Sequence, residues 1–306
     1  MRERRKATSS MLIAATAALL LMGSRISTLP TGAALSAFAE EGLLFSQEQD
    51  AHAVASSTEP EQTPAPPEKP AFQVEVIIAA PVPTAVPKKI LIYHSHTYEA
   101  YTQVADAPYV ETEKWRTKDA TANVVAVGRA LAAALTAMGH EVTHDETAFE
   151  PPELSSAYVR SLEMLEARRS AGEQYDLYID LHRDAFDSPD AIKRVVNIGG
   201  ENVARFMVLI GKGTGLTGDA YSAKPEWEKN YAIAEVITDS LNGQAESLAR
   251  SICLRTGRFN QHIAPCCILI ECGSNHNTLQ EVLNGVPYLA QAISDALQQN
   301  ESAPQE

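Results

Sequence analysis

From Ile90 to Leu297 short apolar runs alternate with stretches whose apolar residues recur at three-four spacing, and that alternation leaves few folds open. "KILIYH" is an apolar run ending in polar residues, the pattern of a buried strand. Val124, Val127, Leu131, Leu135 and Met138 then fall on one helix face, and Gly139 stands where a helix-ending glycine would. "HEVTHDE" reads as a strand, Ser155 to Ala171 as a second helix, "YDLYIDLHRDA" and "RFMVLIG" as further strands. Helical patterns follow at Glu226 to Leu241 and Gln244 to Cys253. "PCCILIECG" supplies the last strand, and "NTLQEVLNGVPYLAQAISDAL" a closing helix. Strand and helix taking turns in this way predict an α/β fold, a mostly parallel central sheet flanked by helices.

The first 87 residues read differently. "MRERRK" is basic, and the eighteen residues Ala7 to Ser24 carry no charge, at the lower edge of the roughly 18 to 20 that span a bilayer. A basic flank before an apolar segment predicts an export signal with the remainder outside the cytoplasm. An uncleaved anchor is favoured, since "AFA" at Ala37 to Ala39 lies far beyond the apolar run. Glu40 to Lys89 is rich in Ala, Pro, Glu and Gln, with "EPEQTPAPPEKP" at its centre, a composition that cannot bury enough surface to fold. "FQVEVII" within it could add an edge strand. The expected plan is a cytoplasmic flank (1–6), a membrane segment (7–24), a disordered linker or tether (25–87), a catalytic domain (88–300) and a short tail (301–306).

A net charge of −14 argues against a nucleic-acid partner, because phosphate binding needs a basic face. Cys253, Cys266, Cys267 and Cys272 are the only cysteines. Their spacing matches no zinc ribbon, and small buried positions on a strand account for them.

In open α/β sheets, functional groups gather beyond the carboxyl ends of strands. Here one strand end delivers His94, His96 and Glu99, a second His182, Arg183 and Asp184, and the last Glu271. Two histidines and a carboxylate form an open zinc set, and a further carboxylate off the metal can move protons. His94 and His96 share a face if the strand runs through both, so either could be the ligand. Glu271 follows "CCILI", where an unpaired carboxylate costs several kcal/mol, so Arg183 or Arg258 is its candidate structural partner. His140, His144, His262 and His276 have no partner motif and read as ordinary polar positions.

"LIYHSHTYEAY", "EKWRTKDATANVVAVGRAL", "DLYIDLHRDA" and "GRFNQHIAPCCILIECGSNHNTLQE", in that order, resemble the stage II sporulation protein P family over about Ile90 to Leu297. The resemblance implies a membrane-anchored peptidoglycan hydrolase with a zinc N-acetylmuramoyl-L-alanine amidase-like fold (phosphorylase/hydrolase-like). It implies that His96, Glu99 and His182 hold Zn2+ and that Glu271 is the catalytic acid/base, which leaves His94 to bind substrate or to support a ligand from behind. Arg183, Asn260 and Gln261 are candidates for substrate contact. The resemblance implies cleavage of the amide joining N-acetylmuramic acid to L-alanine, and a second cut within the stem peptide. It also implies a role in engulfment, between the mother-cell and forespore membranes, with stage II sporulation proteins D and M as partners. Two other readings are a cysteine endopeptidase using Cys272 or Cys253, and a wall-binding scaffold without activity. The cysteines at 266, 267 and 272 depart from the family's pattern.

Overall fold

The structure, a computed structural model, describes residues 86–188, 194–215, 217–218 and 221–302. The expected anchor segment, the linker up to residue 85 with "FQVEVII", and residues 303–306 lie outside the described residues. Among the described residues no helix is long and apolar enough to cross a membrane.

The central strands are the ones built around short apolar runs, because each is covered on both faces. They are β1 (Lys89–Tyr93), β3 (Leu177–Asp184) and β8 (Cys267–Ser274). With β2 (Glu141–His144), β6 (Phe206–Gly211) and β7 (Cys253–Arg255) they form a sheet ordered β2-β1-β3-β8-β6-β7. The pairs from β2 to β8 are parallel. β6 runs antiparallel to β8 and parallel to β7, so the sheet is mostly rather than wholly parallel. The connection explains the reversal. β3 is followed by a hairpin, β4 (Val195–Ile198) and β5 (Glu201–Ala204), and among the described residues no crossover helix stands between β3 and β6.

The helix α1 (Val124–Ala137) starts at Asn123, whose side chain accepts from the Val125 N–H, and ends as expected at Gly139, φ 96°. The Gly139 and His140 N–H groups donate to the carbonyls of Thr136 and Leu135, closing the last turn. α2 (Ala157–Ser170) and α3 (Trp227–Gln244) fall where the periodicity places them. The helix expected over Gln244 to Cys253 does not form. Instead Leu248 and Arg250 pair their backbones with Phe206 at the start of β6, Ser247 turns the chain at φ 64°, and the segment runs into β7. Sheet pairing satisfies these backbone groups and buries Leu248, which overrides the local pattern. The closing helix is split into α4 (Leu279–Leu283) and α5 (Val286–Ser302) at Asn284 and Gly285.

The two faces of the sheet are covered unequally. Ile90, Ile92, Leu177, Ile179, Leu181, Ile268 and Ile270 pack with residues of α1, α3 and α5 in the larger core cluster. The opposite parity, Leu91, Tyr93, Tyr178 and Cys267, packs against Leu162 and Leu165 of α2. Side chains alternate along a strand, so Asp180, His182 and Glu271 all belong to the α2 face.

Candidate metal centre

β1 stops at Tyr93, and residues 95–98 turn. The alternation that would have put His94 and His96 side by side is therefore broken. His94 keeps the parity of Ile90 and Ile92 and goes to the α1 face, while the turn brings His96 round to the other. Glu99 then bridges backbone to backbone with Arg116 and accepts the Val124 N–H on its carbonyl, which fixes the stretch that carries it.

His96, Glu99 and His182 converge, each offering a ligand atom within 4.8 Å of the others, and all three are buried. His96 Nδ1 lies 3.6 Å from Glu99 Oε1, and His182 Nδ1 3.4 Å from Glu99 Oε2. The Arg183 main-chain N–H donates to Glu99 Oε2 at 3.1 Å, and its guanidinium stands 3.9 Å from Oε1. Burial alone would raise the Glu99 pKa, but Arg183 and His182 hold it well below the usual carboxylate range. His182 Nε2 lies 2.8 Å from Asp180 Oδ1. Burial works against charging this imidazole, yet Asp180 and Glu99 push its pKa well up. The ring of Tyr158, from α2, stands edge-on to His96 and parallel to His182.

Glu271 pairs in register with His182 on the neighbouring strand. Among the described residues neither of its carboxylate oxygens accepts a hydrogen bond, and it is 1% exposed. Burial and the Asp184 carboxylate push its pKa well above the ordinary value, with His182 and Arg183 pulling the other way. The structural partner that Arg183 could have been is engaged elsewhere. Its guanidinium donates to the carbonyls of Ala100 and Trp115 and leans on Glu99. Asp184 is paired with Arg250 at 2.5 Å.

The donor set fits a zinc ion. Two imidazoles and one carboxylate are its ordinary protein ligands with a position left open, and a carboxylate behind a histidine is the usual supporting group. Charge points the same way. Glu99, Asp180 and Glu271 are three buried carboxyl groups near the Arg183 and Arg116 guanidiniums, and a dication there would favour the ionised form of Glu271 that burial opposes.

The other sequence candidates are placed differently. His94 donates from Nδ1 to the Leu181 carbonyl at 2.8 Å and faces His144 Nε2 with its own Nε2 at 2.8 Å, away from the donor set. Asn260 and Gln261, expected at the substrate, are buried in the scaffold. Asn260 donates to the Tyr158 carbonyl and Ser161 Oγ, and Gln261 binds both the Gly211 N–H and the Leu209 carbonyl. His144 is no ordinary polar position, and His276 holds the Phe186 carbonyl and meets the Trp115 ring edge-on. Sequence reasoning missed Asp180. The signal was available: a carboxylate inside an apolar strand, two residues before His182 and so on the same face.

The four cysteines are free thiols, and burial pushes the Cys272 and Cys267 pKa values far up.

Fold and site together define an α/β protein with a buried His–Glu–His donor set at the carboxyl edge of its sheet. The chain matches the Stage II sporulation protein P (SpoIIP) family over residues 38–294, and it belongs to that family. A comparison with curated protein sequences gives no match. Among solved structures it is similar to the CwlD amidase from Clostridioides difficile, seen in complex with the GerS lipoprotein, at 15% identity and TM-score 0.46, covering 70% of this chain and 98% of that one. It is also similar to the N-acetylmuramoyl-L-alanine amidase AmiC2 of Nostoc punctiforme, at 15% identity and TM-score 0.42, covering 72% of this chain and 100% of that one. The catalytic domain of CwlV, an N-acetylmuramoyl-L-alanine amidase from Bacillus (Paenibacillus) polymyxa var. colistinus, gives 15% identity and TM-score 0.42, covering 71% and 99%.

Proposed function

We propose that this chain is a zinc-dependent peptidoglycan hydrolase that cleaves the amide between N-acetylmuramic acid and L-alanine during endospore formation. The observation that carries the reading is the placement of Glu271, a buried carboxylate with no hydrogen-bond donor of its own, in register with His182 beside the His96–Glu99–His182 set. Those three residues would hold the ion, which supplies, when bound, an activated water and a Lewis acid for the scissile carbonyl. Glu271, its proton affinity raised by burial, takes a proton from the attacking water and delivers it to the departing L-alanine nitrogen. Arg183 keeps Glu99 anionic and in place. Family membership supports the sporulation setting.

We place the catalytic domain at 88–300, held outside the cytoplasm by an uncleaved single-pass segment at 7–24 and a tether at 25–87. In that setting it acts in engulfment, in the space between mother-cell and forespore membranes, with the sporulation proteins D and M as partners. A second cut within the stem peptide belongs to the same proposal. Cysteine chemistry at Cys272 is disfavoured, because a buried thiol with a raised pKa supplies little thiolate.

The test is mass spectrometry of digested peptidoglycan together with elemental analysis of the protein. Wild type is expected to carry about one zinc per chain and to release stem peptides beginning in L-alanine. Glu271→Gln is expected to keep the metal and lose cleavage. Cleavage that survives removal of all metal, or that a thiol reagent abolishes, would sink the reading. The setting has its own test: protease accessibility of the domain in intact sporangia, where protection by the cytoplasmic membrane would overturn it.

A further inference from the structure

Asp180 takes part in no step above, yet it is among the most enclosed charges in the fold. It is 1% exposed, in the middle of β3, on the face that carries His182. Its Oδ1 lies 2.8 Å from His182 Nε2 and accepts the Ser95 N–H at 2.8 Å; its Oδ2 accepts the Ser95 hydroxyl at 2.7 Å. Ser95 immediately precedes His96. One carboxylate therefore grips two things: the imidazole of His182 and the turn that swings His96 toward Glu99. Behind it, Ser161 of α2 lies 2.8 Å from Ser95 Oγ, and Asn260 donates to Ser161 Oγ at 3.0 Å.

We propose that Asp180 is a positioning residue that sets how tightly, and through which nitrogen, the centre holds its metal. The inference rests on the reading of the site as a zinc centre. Carboxylates stand beside both ring nitrogens, but Asp180 Oδ1 at 2.8 Å from Nε2 is nearer than Glu99 Oε2 at 3.4 Å from Nδ1, so Asp180 draws the proton of a neutral His182 to Nε2. The lone pair is then on Nδ1, the atom 3.4 Å from Glu99 Oε2 and turned toward the donor set. Without Asp180 the carboxylate left beside the ring is Glu99, at Nδ1, which favours the tautomer with Nδ1 protonated, and that tautomer cannot bind a metal at that atom. Loss of the same carboxylate also releases the two Ser95 contacts that fix the turn before His96.

The decisive experiment is on the full-length chain. Zinc affinity is measured by competition with a chelator for wild type and Asp180→Asn, and the tautomer of His182 is read from its imidazole 15N shifts in the zinc-loaded wild type. The expected results are an affinity about 10–100-fold weaker in the variant and a wild-type ring coordinated through Nδ1 with Nε2 protonated. A purely structural role would lower the melting temperature of the zinc-free variant and leave the zinc affinity of its folded fraction unchanged. That result, or coordination through Nε2 in the wild type, overturns the proposal while the zinc reading stands. A wild type that takes up no zinc overturns both. If Asp180→Asn does not fold, the wild-type shifts alone decide.

Discussion

Two pairs of histidines, the buried His96 with His182 and the buried His94 with the half-buried His144, each stand with ring centroids 5.1 Å apart, and they are set up differently. Between His96 and His182 lies a carboxylate, Glu99, and behind His182 another, Asp180. His94 and His144 face each other directly, Nε2 to Nε2 at 2.8 Å. Because His94 donates from Nδ1 to the Leu181 carbonyl, its Nε2 accepts, and His144 is the donor. That pair is a closed hydrogen bond with no gap for an ion, and Gly128 of α1 presses on it so closely that a Cβ there would lie 2.4 Å from His144 Nε2. The pKa values follow. Burial and His144 push His94 down to about 3, whereas Asp180 and Glu99 push His182 well up despite burial. Equal spacing of two rings says little: Glu99 stands between His96 and His182, whereas the one carboxylate contact of the other pair, Glu146 at 3.5 Å from His144 Nδ1, lies outside the Nε2–Nε2 hydrogen bond.

The comparison can be broken most forcefully by removing one member of each pair. His182→Ala is expected to lose zinc and slow cleavage by about a thousandfold or more, the scale of metal assistance worth several kcal/mol. His94→Ala is expected to keep zinc and lose about 1–3 kcal/mol of stability, since the buried Leu181 carbonyl and the half-buried His144 N–H both lose their partner. Zinc loss in the second variant would erase the distinction drawn between the pairs.

Gly128→Ala pushes a methyl into the His94–His144 contact. An expected destabilisation of about 1–3 kcal/mol, with metal content unchanged, would be read from denaturant melts and elemental analysis. A stabilised variant would mean that the pair yields easily.

Replacing both partners by leucine should be less harmful than the two single changes added together, by about 1 kcal/mol, because no polar atom is left stranded. Additive effects would show that His94 and His144 do not depend on each other.

The smallest effect concerns His262, which has arginines rather than carboxylates for neighbours. Burial, Arg258 and Arg169 lower its pKa to about 4. The unfolded value is near 6.5, so between these pH values the unfolded chain binds the extra proton and stability falls as pH drops. His262→Gln is expected to flatten stability against pH between about 6.5 and 4. An unchanged slope would remove His262 from the account.

The strands and most helices were legible because burial on two faces writes apolar runs, and burial on one writes three-four spacing. Gln244 to Cys253 was misread because its helical pattern competes with backbone pairing to Phe206, which lies about forty residues earlier and leaves no local trace. The donor residues were legible as types at strand ends. The separation of His94 from His96 was not, because it depends on where β1 stops. The same burial-cost argument that makes Glu271 conspicuous applies to Asp180, whose strand also carries the more visible His182.

Arg183 ties the loop after Glu99 to the sheet from within, through the carbonyls of Ala100 and Trp115. Most of the residues between these anchor points, Gln103 to Lys114, are exposed. Each doubling of such a loop adds only about 0.6 kcal/mol of closure entropy. The loop can therefore change length at little cost while both anchor points, and Glu99 just before them, stay where they are.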